Sequence, residues 1–228
     1  MRIINIMVES FWPLMKAGLT VTIPLTIVSF ICGLLLAIIV AVMRISRFRV
    51  LRGIAIFYVW LIRGTPLLVQ LYIIYYGLPN IGIVFSPFLS GVIGLTMSQG
   101  AYNSEIIRAV IESISRGQWE ACRALGMSRF CTMYYIVFPQ AFRVALPSLG
   151  NQFITLTKDT SLTSALTLIE LLQTGRKIIV NTLEPLWVYC EVAFVYLIYC
   201  SVLMVIQRKL EQKFGKHILA QQKTSKEG

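Results

Sequence analysis

Two stretches of this chain, Ala17 to Met43 and Ile81 to Ser104, contain no charged residue. A helix crossing the hydrocarbon core of a bilayer needs about 20 predominantly apolar residues, and both runs meet that length. A soluble amphipathic helix would interrupt such runs with a polar face. The remaining composition agrees. Of the 228 residues 57% are apolar and 14% charged, against about 25% charged in an ordinary soluble domain. Mean hydropathy is +0.74. The sequence class is therefore an integral membrane protein.

The net charge is +11, and its placement matters more than its size. Arg44, Arg47, Arg49 and Arg52 follow the first apolar run. Arg108, Arg116, Arg123 and Arg129 follow the third, and Arg208, Lys209, Lys213 and Lys216 follow the last. The segment Gly77 to Pro87 carries no charge. Basic clusters alternating with a neutral loop follow the positive-inside rule. They put the N-terminus outside and the C-terminus in the cytoplasm. Nucleic acid is not an expected partner, because no basic face interleaved with aromatics lies on a soluble module.

One membrane domain, 1–228, is expected, with five spans at about 14–43, 53–76, 85–102, 140–157 and 185–206. A polar cytoplasmic loop occupies 105–138, and a basic cytoplasmic tail occupies 207–228. Between the fourth and fifth spans, Thr160 to Val180 is apolar but broken, and predicts a short interfacial or re-entrant helix. No glycine-rich phosphate loop is present, so energy from ATP has to come from a partner. Three of the five cysteines, Cys32, Cys190 and Cys200, lie in apolar runs, and Cys122 and Cys131 lie in the loop. They imply neither a disulfide framework nor a metal site, and His217 stands alone in the tail.

Within the loop, Ser115-Arg116-Gly117-Gln118 has the capping-box spacing that starts a helix. Gly126 is placed to end it. Trp119, Cys122 and Leu125 fall on one side, and Arg116, Glu120 and Arg123 on the other. Periodicity alone fits two readings equally, a helix on the lipid surface or one docked in a groove of another protein.

The run Glu120-Ala121-Cys122, then Gly126, Ile136 and Phe138-Pro139, resembles the EAA signature of bacterial ABC importer permeases. Cys122 stands where alanine is usual and Phe138 where leucine is usual, and both remain apolar. Arg63-Gly64-Thr65-Pro66-Leu67-Leu68-Val69-Gln70-Leu71, Ala101 to Ile106, Gly117 to Ala121, Pro139-Gln140-Ala141 and Lys158 to Leu162 are similar to the polar amino acid branch. The resemblance covers about Leu14 to Gln212. It implies the all-α type I importer permease fold, with about five transmembrane helices and a cytoplasmic coupling helix seated in an ATPase cleft. Gly117, Glu120, Ala121, Gly126, Ile136 and Pro139 then serve ATPase coupling. The implied partners are two ABC ATPase subunits, a second permease subunit (identical or paralogous), an extracytoplasmic solute-binding protein and membrane lipid. No cofactor is bound directly, and ATP and Mg are used by the ATPase. The location implied is the bacterial cytoplasmic (inner) membrane.

Polar groups inside the spans are functional candidates because they are costly in hydrocarbon. Arg63 lies beside Gly64 and Pro66, which loosen the second span. Its readings are a gate residue paired with a carboxylate or freed carbonyls, or an arginine snorkelling to the headgroups. Gln99, Asn103, Asn151, Gln152 and Thr155 either bind a zwitterion or hold helices together. Lys158 and Asp159 end the fourth span, and the family motif favours a turn near the translocation path. Glu191 either attracts an ammonium group or reaches the outer headgroups.

The expected function is a permease subunit that does no bond chemistry and translocates a polar amino acid. Tyr75 to Pro79 and Gly117 to Trp119 look most like the cystine-type members. The rival is a self-sufficient channel or secondary transporter, which needs no docking loop and often shows internal repeats. A membrane enzyme would need an intramembrane nucleophile and base or a metal cluster, and the polar residues form no such set.

Overall fold

In lipid every backbone N–H and C=O has to be bonded within the protein, and the long apolar runs accordingly form helices. The computed structural model describes the backbone of residues 2–224 and the side chains of residues 2–213, with no strand among them. α1 (Arg2–Ala17) passes through a π-helical turn, Gly18–Thr22, into α2 (Ile23–Ile45). α3 (Arg49–Gly64) and α4 (Leu67–Tyr72) follow, and α4 continues through Ile73–Gly77 and Leu78–Ile81. Next come α5 (Pro87–Glu112), α6 (Arg116–Ala124) and the single turn α7 (Arg129–Cys131). A π-helical stretch, Thr132–Val137, leads into α8 (Phe138–Asp159). A 3-10 run, Thr160–Leu166, separates α8 from α9 (Leu171–Thr182), and α10 (Pro185–Thr224) closes the chain.

α5 is the central rod. Its 26 residues span about 39 Å, and α2, α3, α4 and α8 pack around it. By length and composition two helices qualify to cross a bilayer, Arg2–Ile45 and Pro185–Lys213, and a bent pair brings the number to as many as three. α5 is more polar because Ser90, Ser98, Gln99, Asn103 and Ser104 face the interior of the bundle. The outer helices reverse this arrangement. Ile27, Ile31, Leu35 and Ile39 of α2 form an exposed apolar stripe at four-residue spacing, as expected of a lipid-facing surface.

Three boundaries depart from the sequence expectation. The first helix begins at Arg2 rather than near Leu14, and α1 packs on α9 and α10 through Leu14, Leu171, Val188 and Val192. The third runs on to Glu112, because Glu105, Arg108 and Glu112 pair with one another along one face. The second is no continuous span, since α3 and the helical run Leu67–Ile81 meet at 102°.

Pro66 causes that elbow, having no N–H to offer the carbonyl four residues earlier. The orphaned carbonyl belongs to Ile62, and the Gln70 side-chain amide donates to it at 2.8 Å. The same amide nitrogen lies 2.8 Å from Thr65 Oγ1 and 3.2 Å from the Thr65 carbonyl. Gln70 therefore replaces the bond that proline removes.

Lys216 and His217 lie outside the described side chains, and the tail 207–228 is described only in part.

Candidate coupling and translocation site

α6 has the length expected of a docking helix and is anchored on one face only. Trp119 packs on a cluster of Ala37 and Ala41 from α2, Ile107 and Ile111 from α5, and Val137 and Ala141 near the start of α8. Cys122 is buried, whereas Arg116, Gly117, Glu120, Ala121 and Arg123 are exposed. Leu125, expected with Trp119 and Cys122, instead points outward and is 79% exposed. The helix ends before it can turn that residue inward.

That ending is a glycine cap. Gly126 has φ +72°, a conformation that costs a residue with a Cβ but not glycine. The Met127 N–H donates to the Cys122 carbonyl and the Gly126 N–H to the Arg123 carbonyl, each at 3.0 Å. The start differs from the sequence reading. Ser115 occupies the N-cap position without a side-chain bond, and Gln118 instead accepts from the Gln140 amide at 2.8 Å. The capping-box exchange is replaced by a tie between α6 and α8. Pro139, the residue before Gln140, is exposed, and Ile136 is half-buried.

Behind α6 lies a network that sequence reading missed. The Glu105 carboxylate on α5 receives Arg44 from α2 on one oxygen and Arg108 on the other, the latter at 2.9 Å. Arg108 also reaches Glu112 at 2.6 Å. Glu105 was visible in the sequence only as part of a motif, since nothing local marks a partner sixty-one residues away.

The intramembrane candidates do not converge on one point. Arg63 is exposed at the elbow, and its guanidinium sits 5.1 Å from the centre of the Tyr102 ring. Neither a carboxylate nor a freed carbonyl holds it among the described residues; the freed Ile62 carbonyl belongs to Gln70. An aromatic face is the favourable seat for such a cation. On α8, Thr155 and Lys158 are exposed and Gln152 and Asp159 half-buried. Lys158 shares a groove with Ser161 and, from α10, Tyr196 and Cys200.

The other four candidates are engaged by neighbouring side chains. Gln99 is 2% exposed and Asn103 0%, and the Asn103 amide donates to Gln99 at 3.1 Å. Asn151 accepts from Gln207 of α10 at 3.1 Å. Glu191 is 3% exposed under α1, where Ser10 donates to its carboxylate. It lies at the floor of a groove between α1 and α10 that Met7, Phe11 and Phe194 also line.

Glu170 is the clearest residue that the sequence reading passed over. It is 0% exposed and caps α9, accepting from the Leu172 and Gln173 N–H groups at 2.9 and 2.7 Å and from the Tyr196 hydroxyl at 2.9 Å. Its one signal is an acidic residue inside the apolar run Leu168 to Leu172.

Comparison with known proteins extends this geometry. The family described as "Binding-protein-dependent transport system inner membrane component" matches residues 33–216. The L-cystine transport system permease protein TcyB of Bacillus subtilis (strain 168) is 46% identical over 211 residues, covering 92% of this chain and 90% of that protein. The nopaline transport system permease protein NocM of Agrobacterium fabrum (strain C58 / ATCC 33970) is 37% identical over 227 residues, covering 95% and 94%. A solved structure, described as the crystal structure of an amino acid ABC transporter with histidines, superposes with a TM-score of 0.84 at 34% identity. The superposition covers 90% of this chain and 96% of that one.

Proposed function

We propose a mechanism from one premise: the chain belongs to the binding-protein-dependent transport system inner membrane component family, and is the permease component of an ABC amino acid importer with the type I fold. It passes a polar amino acid inward, cystine before others, since a relative at 46% identity is named for L-cystine. A separate pair of ATPase subunits uses ATP and Mg, a second permease subunit completes the pathway, and an external binding protein delivers the solute. The N-terminus lies outside and the C-terminus inside, so that α6 faces the cytoplasm.

The observation that carries this reading is the divided surface of α6. Trp119 fixes the helix to three membrane helices and Cys122 is buried beside it, while Gly117, Glu120 and Ala121 are exposed and have no side-chain partner among the described residues. A displacement of that outer face by an ATPase is therefore delivered directly to α2, α5 and α8. Gly126 keeps α6 short, and Pro139 and Ile136 lie where the loop re-enters the bundle. Arg63, Gln152, Thr155, Lys158 and Asp159 line the proposed path. Gln99, Asn103, Asn151 and Glu191 hold the helices that frame it.

The test is ATP hydrolysis by the complex reconstituted with its ATPase, stimulated by solute-loaded binding protein. Glu120→Lys reverses charge on the outer face, and Gly126→Val forces a branched side chain into φ +72°. Both variants should retain all subunits and lose most of the stimulated hydrolysis and uptake. If both assemble and hydrolyse ATP like the parent, α6 is not a coupling element and a self-sufficient transporter or channel becomes the reading to pursue.

A further inference from the structure

α2 and α5 run parallel and share the longest interface in the protein. Their backbones approach closely at Gly33, where an added Cβ would come within 2.6 Å of Gln99 Cβ. Toward α6 the facing residues are Ala37 and Ala41 on α2 and Ile107 and Ile111 on α5. Alanines of α2 facing isoleucines of α5 make an apolar seam near α6, and such contacts include no directional bond.

Glu105 supplies what the packing lacks. Its two oxygens are divided between guanidinium groups of different helices, Arg44 of α2 and Arg108 of α5. The side chains of Arg44 and Glu105 are 18% and 19% exposed, so water screens the pair incompletely. Charge-assisted hydrogen bonds are directional and strong, and the Arg44 bond crosses the α2–α5 seam, so sliding has to break it. It also lies one turn or less from Ile107 and Ala41, which take the load of Trp119.

We infer that Glu105 is a positioning residue of the transport cycle, tying α2 to α5 so that both follow α6 as one body. This rests on the reading of α6 as the coupling element and adds the route by which its displacement enters the membrane helices. α8 has a separate and neutral connection, Gln118 to Gln140. The charged tie and the neutral one give α6 two outputs of different stiffness.

The experiment uses the full complex in proteoliposomes, without native cysteines, and measures solute moved per ATP hydrolysed. The solute is whichever of radiolabelled cystine, arginine, glutamine and histidine the parent accumulates. Glu105→Gln should assemble with the ATPase and hydrolyse ATP within about twofold of the parent, while solute moved per ATP falls about fivefold or more. A second variant, Arg44→Cys with Glu105→Cys, should show the same loss until a short bifunctional thiol reagent joins the two positions, and should then regain the parent ratio. A carboxylate needed only for stability would lower subunit retention and hydrolysis together, and the cross-link would not change the ratio.

An unchanged ratio in Glu105→Gln, or a loss that cross-linking does not restore, overturns the inference. Should Glu105→Gln fail to accumulate, the doubly substituted sample with and without reagent decides alone. Normal stimulated hydrolysis in Glu120→Lys, measured alongside, would instead overturn the coupling role of α6 itself.

Discussion

The two ends of the bundle handle buried charge in opposite ways. Near α6, Arg44, Glu105, Arg108 and Glu112 alternate in sign, and their side chains are between 18% and 54% exposed. At the other end Glu170 and Glu191 are 0% and 3% exposed, and among the described residues no cation bonds either one. Glu170 is held by two backbone N–H groups and a tyrosine hydroxyl, Glu191 by a serine hydroxyl. Removing one member of a partly hydrated ion pair costs little net stability, because water solvates the group left behind, whereas the donors around a buried carboxylate have no substitute acceptor within reach.

The helix endings repeat the contrast. α6 stops on a glycine at φ +72°, without strain. At the far end the turns beyond Leu166 and Thr182 fall on Thr167 and Leu183, at φ +62° and +57°. A residue with a Cβ held there stores strain that the surrounding packing has to sustain.

The largest effect that separates the two ends should come from Glu170→Ala. It leaves three partly buried donors without an acceptor, and thermal unfolding of the purified chain in detergent should show a loss of about 3 kcal/mol. A loss below that caused by Glu105→Gln would break the comparison. Glu105→Gln itself should cost about 1 kcal/mol or less in the same assay, whatever it does to coupling. The smallest effect should be a gain. Thr167→Gly removes a β-branched residue from the left-handed region and should stabilise the chain by about 1 kcal/mol, while the equivalent opportunity is absent at Gly126.

Much of this architecture is legible in the sequence because its determinants are local. The apolar runs mark the rods, and Gly126 marks the end of α6. The resemblance through Glu120, Gly126 and Pro139 points to the same family that the comparisons identify. What escapes sequence reading depends on distant pairs. Ser10 covers Glu191 across 181 positions, and Arg44 meets Glu105 across sixty-one. Period and spacing report which face a residue shares with its own helix, not what another helix brings to it. Glu170 was missed for a different reason, since Ser, Thr, Asp and Asn are the expected N-cap residues and a glutamate inside an apolar run does not advertise a cap. Pro66 announced a break, but the 102° elbow also depends on the Gln70 amide.

That elbow bears on how the chain is assembled. The bond that replaces the missing one at Pro66 joins residues only eight apart, so closing it needs no other helix to be in place and demands little loop-closure entropy. The α3–α4 segment can therefore adopt its bend before α5 packs against it. α5 then packs against a neighbour already bent, and Tyr102 supplies the aromatic face on which Arg63 sits. A side chain at position 70 that cannot donate would leave the bend to be imposed by α5 alone.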